Sequence, residues 1–163
     1  MPTYTTDGNV TAELPQNLPD IIDSTYRATQ ITRASAMVDS LVGSRFAMSY
    51  ETSSQKFPNI SSNPATPTVI EQCAIYLAAS YCYVRLGETV RFDAERGPQK
   101  GMAAIYREMV YNEDGTGLAD LIKKGAMVVA LSTGTVLGRP SVSIASPDTD
   151  AVPSITLGRY DEN

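Results

Sequence analysis

The sequence predicts an all-α fold: a small bundle of three to four helices with an extended N-terminal arm and a long extended, β-type C-terminal tail. Three observations predict it. Residues 63–88, NPATPTVIEQCAIYLAASYCYVRLGE, are apolar on nearly every side and carry helix punctuation at both ends. Residues 29–43 and 98–111 show apolar side chains at helical spacing. From Ala126 onward the pattern changes to short β-type runs broken by Gly, Pro, Ser and Asp.

The chain has 163 residues, which suits one domain. Both ends are poor in core material, so residues 1–16 read as an extended arm, 17–125 as the helical domain and 126–163 as a tail for partner docking. The first helical turn falls near residues 18–24, with Asn17 as cap and Pro19 in its first turn. The first long helix covers about 29–43. Ile31, Ala34, Val38, Leu41 and Val42 make its apolar stripe, with Thr29 as cap, Gly43 as stop and Phe46 packed beneath its end. Residues 47–65 form a long Ser/Thr/Asn/Pro-rich connection anchored by Phe57 and Ile60.

The second long helix covers about 66–86. Thr66 suits its cap, Pro67 its first turn and Gly87 its exit. Ile70, Cys73, Ala74, Leu77, Tyr81 and Val84 form one face; Ile75, Tyr76, Ala79, Tyr83 and Leu86 form a second. This is either the central helix of the bundle or a helix whose second face packs on another subunit, and the two readings are compatible. Tyrosine suits an interface because its ring is apolar and its hydroxyl can stay wet. Residues 91–100 read as a charged, turn-prone link. A third helix at about 98–111 uses Met102, Ile105, Tyr106, Met109 and Val110. A turn at 112–116 leads to a short fourth helix at 117–124, built on Leu118, Leu121 and Ile122. Lys123 and Lys124 sit at its C-terminal end, where the helix dipole favours them, and Gly125 ends it.

The net charge is -5, with 18 acids against 13 bases. That is no basic footprint for nucleic acid. The N-terminus has no basic start or apolar core, so no signal peptide is expected, and no apolar run is long enough for a membrane span. Synthesis in a cytoplasm is expected.

The chain has no histidine and two cysteines. Ser-His and Cys-His nucleophile pairs are therefore absent. Cys73 and Cys82 lie nine residues apart in one predicted helix, on opposite sides and roughly 13 Å apart along it, too far for a disulfide. Both read as small buried apolar residues. Glu95 with Glu108, or Glu71 with Asp39, could meet in a cleft, but near-balanced acids and bases read more simply as a solvated surface. The Gly97–Gly101 segment lacks phosphate-loop spacing. No enzyme activity, cofactor or metal is expected.

Several strings resemble the tailed-bacteriophage head–tail connector, or adaptor, family. They are ITRASAMVDSLVGSRF at 31–46, the Ala- and Tyr-rich stretch at 64–88 ending in YVRLGE, and GMAAIYREM at 101–109. The resemblance covers roughly residues 18–125 and rests on pattern. It implies a structural virion protein that forms a homo-oligomeric ring, a dodecamer, between the portal protein and the next neck or tail completion protein. DNA would pass through without specific binding, and no membrane would be involved. An acidic chain suits that conduit because it repels phosphate. The tail after Gly125 departs from the compact family pattern. The expected subunit-interface residues are Tyr76, Tyr83 and Arg85. The expected portal-docking residues are Val142, Ile144, Ile155 and Leu157, so that removal of 126–163 should abolish attachment. The alternative is a small accessory or regulatory binding module using a helical groove.

Overall fold

In the computed structural model, residues 2–46, 55–93, 97–131, 134, 136 and 137 are described. The order is α1 (Asp7–Ala12), a 3-10 turn (Asp20–Ile22), α2 (Ser24–Val42), a second 3-10 turn (Gly43–Arg45), α3 (Thr68–Arg85), β1 (Val90–Asp93), β2 (Gly97–Lys100), α4 (Met102–Val110), α5 (Leu118–Lys124), β3 (Val129–Ala130) and β4 (Val136–Leu137). The fold is mostly helical.

The central element is α3, packed chiefly against α4 and α2 and also against α1 and α5. Ile70, Cys73, Ala74, Leu77, Ala78, Ala79 and Cys82 are all fully buried. The three alanines matter because small side chains let neighbouring helices approach closely. Ser80 ties α3 to α4, its hydroxyl donating to the Ala103 carbonyl at 2.8 Å. The helix ends at Gly87, whose φ of 79° lets the Glu88 N–H reach back to the Tyr83 carbonyl. Thr66 does not cap it; its hydroxyl donates instead to the Pro58 carbonyl.

Nearly all of α3 is therefore wrapped by its own polypeptide. Of the two readings of its second face, the central-helix one describes most of it within one chain: Ile75, Ala79 and Tyr83 are buried and Tyr76 and Leu86 half-buried. A helix apolar all round is what the centre of a bundle requires.

The helix α2 begins five residues before the expected Thr29, because the Asp23 carboxylate accepts from the Tyr26 N–H at 2.7 Å and caps it there. Its buried stripe is Ile31, Ala34, Val38 and Val42, with Leu41 half-buried. Phe46 is buried beneath its end, edge-on to Phe57 at 5.1 Å.

Between α3 and α4 stands an antiparallel β1–β2 hairpin with Val90 opposite Lys100 and Asp93 opposite Gly97. The sequence predicts only a link here, and α4 consequently starts at Met102, four residues later than expected. Gly101 is required at that junction, since an added Cβ would overlap the Glu88 carbonyl. The buried stripe of α4 is Ala103, Tyr106 and Val110, which leaves Met109 exposed.

The N-terminus differs from the expected arm, and the first part of the expected tail is packed. Residues 1–16 contain a helix, α1, capped by the Thr6 side chain, and bury Tyr4, Val10 and Leu14 in the core. The extended-arm reading fails because three isolated apolar residues anchor this segment against α2 and α3. At the other end, the Ala126 and Met127 N–H groups donate to the Leu121 carbonyl. Val129 and Ala130 then pair with Leu137 and Val136, and Val129, Leu131 and Leu137 join the core. The described residues from Ala126 to Leu131, with Val136 and Leu137, thus pack with the bundle, and residues 138–163 of the expected docking tail lie outside the described residues.

Candidate functional site

Tyr76 and Tyr83 lie two turns apart on α3 and so share a stripe, whereas Arg85 is nine residues from Tyr76 and points to the opposite side. The structure separates the three accordingly. Tyr83 is 6% exposed, its ring stacked on Tyr106 of α4 at 5.5 Å and 13°. Tyr76 packs at a tilt on the other side of the same cluster, 5.7 Å from Tyr106. Glu13, the residue that ends α1, closes the group. Its carbonyl accepts from the Tyr83 hydroxyl at 3.0 Å, and its carboxylate accepts from the Tyr106 hydroxyl at 2.9 Å. Burial first, then the Glu13 carboxylate, hold the Tyr106 phenol well above its ordinary value. Tyr83 is thereby corrected as a subunit-interface residue: its ring and hydroxyl are taken up within its own chain.

On its other side α3 is open only at its C-terminal end. Arg85 is exposed, and Val84 beside it is 54% exposed. One turn earlier, the Arg33 guanidinium of α2 lies over the Tyr81 ring at 4.5 Å. Burial raises the Tyr26 phenol, against a partial pull down from nearby Arg85 and Arg33. Tyr26, Arg33, Tyr81, Val84 and Arg85 thus form an aromatic, basic face along α2 and α3. Sequence reasoning named Arg85 but missed its surroundings. The available signal was the seven-residue spacing of Tyr26 and Arg33, which puts them on one stripe.

Two further clusters carry polar chemistry. A groove of about 640 Å³ is lined by Lys100, Arg107, Glu108, Tyr111 and Asn112–Asp114. Its charges are of both signs, with Lys100 Nζ 2.7 Å from Glu108. Asn112 organises its rim by pairing with Thr116 in both directions. The second cluster is internal. The Tyr4 hydroxyl donates to Asp39 Oδ1 at 2.7 Å and accepts from the Phe57 N–H at 3.3 Å. Burial raises the Asp39 carboxyl, and the bonds from Tyr4 and the Lys56 N–H pull it part of the way back.

Burial pushes the Cys73 thiol up to about 12 and the Cys82 thiol up to about 11, so both stay protonated and unreactive near neutral pH. Among the described residues, no group of three or more Cys, Asp or Glu is placed to hold a metal ion, and no helix is long and apolar enough to cross a membrane. The expected docking residues Val142, Ile144, Ile155 and Leu157 lie outside the described residues. No protein-family model, no curated protein and no solved structure matches this chain.

Proposed function

We propose that the chain is a structural adaptor of a tailed-bacteriophage head–tail junction, a non-enzymatic virion protein that forms a ring under the portal and carries the next neck component. The observation that carries the reading is the placement of the resembling strings. Residues 31–46, 64–88 and 101–109 fall on α2, α3 and α4, the three helices that pack together to make the bundle. That is the architecture the resemblance implies. The ring needs two different lateral patches on each copy, because head-to-tail contacts are heterologous. Arg85 with Val84 supplies one, and the exposed edge of Tyr76, on the opposite side of α3, supplies the other. Val142, Ile144, Ile155 and Leu157 are the proposed portal contacts.

The test is attachment to purified, DNA-filled heads that carry a portal. Because Val129, Leu131 and Leu137 are core residues, the informative truncation removes 138–163 and no more. The full chain is expected to join heads as a ring visible by electron microscopy. The truncated chain should keep its helical circular dichroism and lose attachment. A full chain that never joins portal-bearing heads would sink the proposal.

The aromatic, basic α2–α3 face favours a second reading, an accessory module that docks an acidic partner segment there. Such a module stays monomeric in sedimentation and does not join heads.

A further inference from the structure

The N-terminal segment is held almost wholly by residues far from it in sequence. The Thr3 N–H donates to Asn59 Oδ1 and the Thr3 carbonyl accepts from the Ile60 N–H, both at 2.8 Å. The Tyr4 N–H donates to Ser35 Oγ at 3.0 Å, and its hydroxyl joins Asp39. Asp7 takes a two-pronged pair from Arg27, at 2.6 and 2.8 Å. Asn9 Nδ2 donates to Glu71 Oε1 at 2.7 Å, and Glu13 receives Tyr83 and Tyr106. Residues 3–14 are in effect a peptide ligand seated between α2, α3 and the 55–60 segment.

Two observations say that this ligand is exchangeable. The first is its tether. Residues 15–17 are exposed, and among the described residues no backbone–backbone hydrogen bond holds residues 15–18. Pro15 and Pro19 flank the tether and bias it toward extended backbone. The second is the seat. Among the described residues, the buried side-chain polar atoms without a hydrogen-bond partner are Thr5 Oγ1, Gln30 Oε1 and Asp39 Oδ2. Thr5 lies on the segment itself. Asp39 lies on α2 against Tyr4, and Gln30 lies one turn from Arg27. Of these three only Thr5 belongs to the segment, and its hydroxyl is buried in the seat without a bond to another described group.

We propose that the seat is a socket between copies: each chain inserts residues 3–14 into the next copy and receives the same segment from the copy behind. An exchanged segment regains every contact described above, because the socket is identical in each copy. The two arrangements then differ only in the tether and in chain entropy. The exchange is head-to-tail, so it closes into a ring when the rotation allows. This inference rests on the self-association in the adaptor reading and is independent of the portal.

The test uses the full chain carrying Asn9→Cys and Glu71→Cys, whose parent side chains meet across the seat, and a short bismaleimide. The buried native thiols leave the introduced pair as the reactive one. In dilute monomer the bridge should form within one chain. In oligomer isolated from concentrated protein it should join chains into ladders on a denaturing gel, with about a tenfold rise in interchain product. A second variant deletes Gln16 and Asn17, which removes roughly 7 Å of reach while keeping every contact residue. It should abandon the monomer for interchain-bridged oligomers. Oligomers that bridge only within chains overturn the exchange and leave the ring standing. A chain that stays monomeric at every concentration, with and without the deletion, overturns self-association and the exchange together. The pair in the native tether keeps the test decisive if the deletion variant does not fold.

Discussion

The two sides of α3 carry similar residues and meet different fates. On the side facing α4, Ile75, Ala79 and Tyr83 are buried, and Tyr83 is covered by Tyr106 and by Glu13 at the end of α1. On the opposite side, near the C-terminus of the same helix, Val84 stands in solvent beside Arg85. The apolar content of a helix does not decide which of its surfaces is free. That is decided by whether a residue remote in sequence arrives to cover it. Here the cover is Glu13, 70 residues from Tyr83 and 93 from Tyr106.

The sharpest way to break this contrast is at the centre of the helix. Leu77 is fully buried. Leu77→Ala should cost about 3 kcal/mol through lost transfer energy plus a cavity, measured as a drop in the urea midpoint. A loss below about 1 kcal/mol would mean that α3 is not enclosed as described.

The cover comes next. Tyr106→Phe removes the hydroxyl that Glu13 accepts from, at a cost of about 1.5 kcal/mol. Because Tyr83 shares the same acceptor residue, Tyr83→Phe and Tyr106→Phe should be non-additive by about 0.5–1 kcal/mol in a double-mutant cycle. Strict additivity would show that the two hydroxyls are not joined through Glu13.

A smaller effect is expected at the Asp7–Arg27 pair. The hydrogen bond from Arg27 holds the Asp7 carboxyl below its ordinary value. A depressed carboxylate contributes stability that is fully present above its unfolded pKa of about 3.9 and is lost as pH falls through the lower folded value. Asp7 is nearly half exposed, so after solvent screening the contribution should stay below about 1 kcal/mol. Asp39 has the opposite sign: its carboxyl is raised, so its ionisation costs stability as pH rises above the ordinary carboxylate range. The wild-type acid profile mixes the two. The difference between wild type and Asp7→Asn isolates the pair, and it should shrink below pH 4. A constant difference across pH 2–7 would rule the charge pair out as its cause.

The smallest effect belongs to the open side. Val84→Ser should change stability by no more than about 0.5 kcal/mol and, on the proposed adaptor reading, should weaken self-association measured by sedimentation. A large loss of stability would mean that Val84 is a core residue after all.

What was legible in the sequence follows the range of the interactions. The helices α2, α3 and α5 could be read because their stripes repeat every three to four residues and Gly87 and Gly125 stop two of them. The burial of Phe46 and Phe57 was legible for the same local reason, as lone apolar anchors in polar surroundings. The N-terminal helix was not. Tyr4, Val10 and Leu14 have no helical period, and their value lies in partners such as Ser35 and Asp39, which no local pattern marks. The β1–β2 hairpin was hidden by its charges and by Pro98, which argues against a strand unless the strand lies at an edge. Of the three residues named for the interface, Arg85 was found on an open surface, Tyr76 only half so, and Tyr83 was inside. The stripe that made the two tyrosines look alike is also the one that Tyr106 covers.

The two sealed thiols give the molecule an internal clock. A thiol reagent reaches Cys73 or Cys82 only when the protein opens, so labelling rates count openings. Cys82 feels the charges of Arg27 and Asp7 and so lies near the seat of the first helix, whereas Cys73 sits nine residues away across the central one. Partial detachment of the first fourteen residues would quicken labelling at Cys82 alone. Whole-molecule unfolding would release both at one rate, which lets a single mass spectrum tell fraying from collapse.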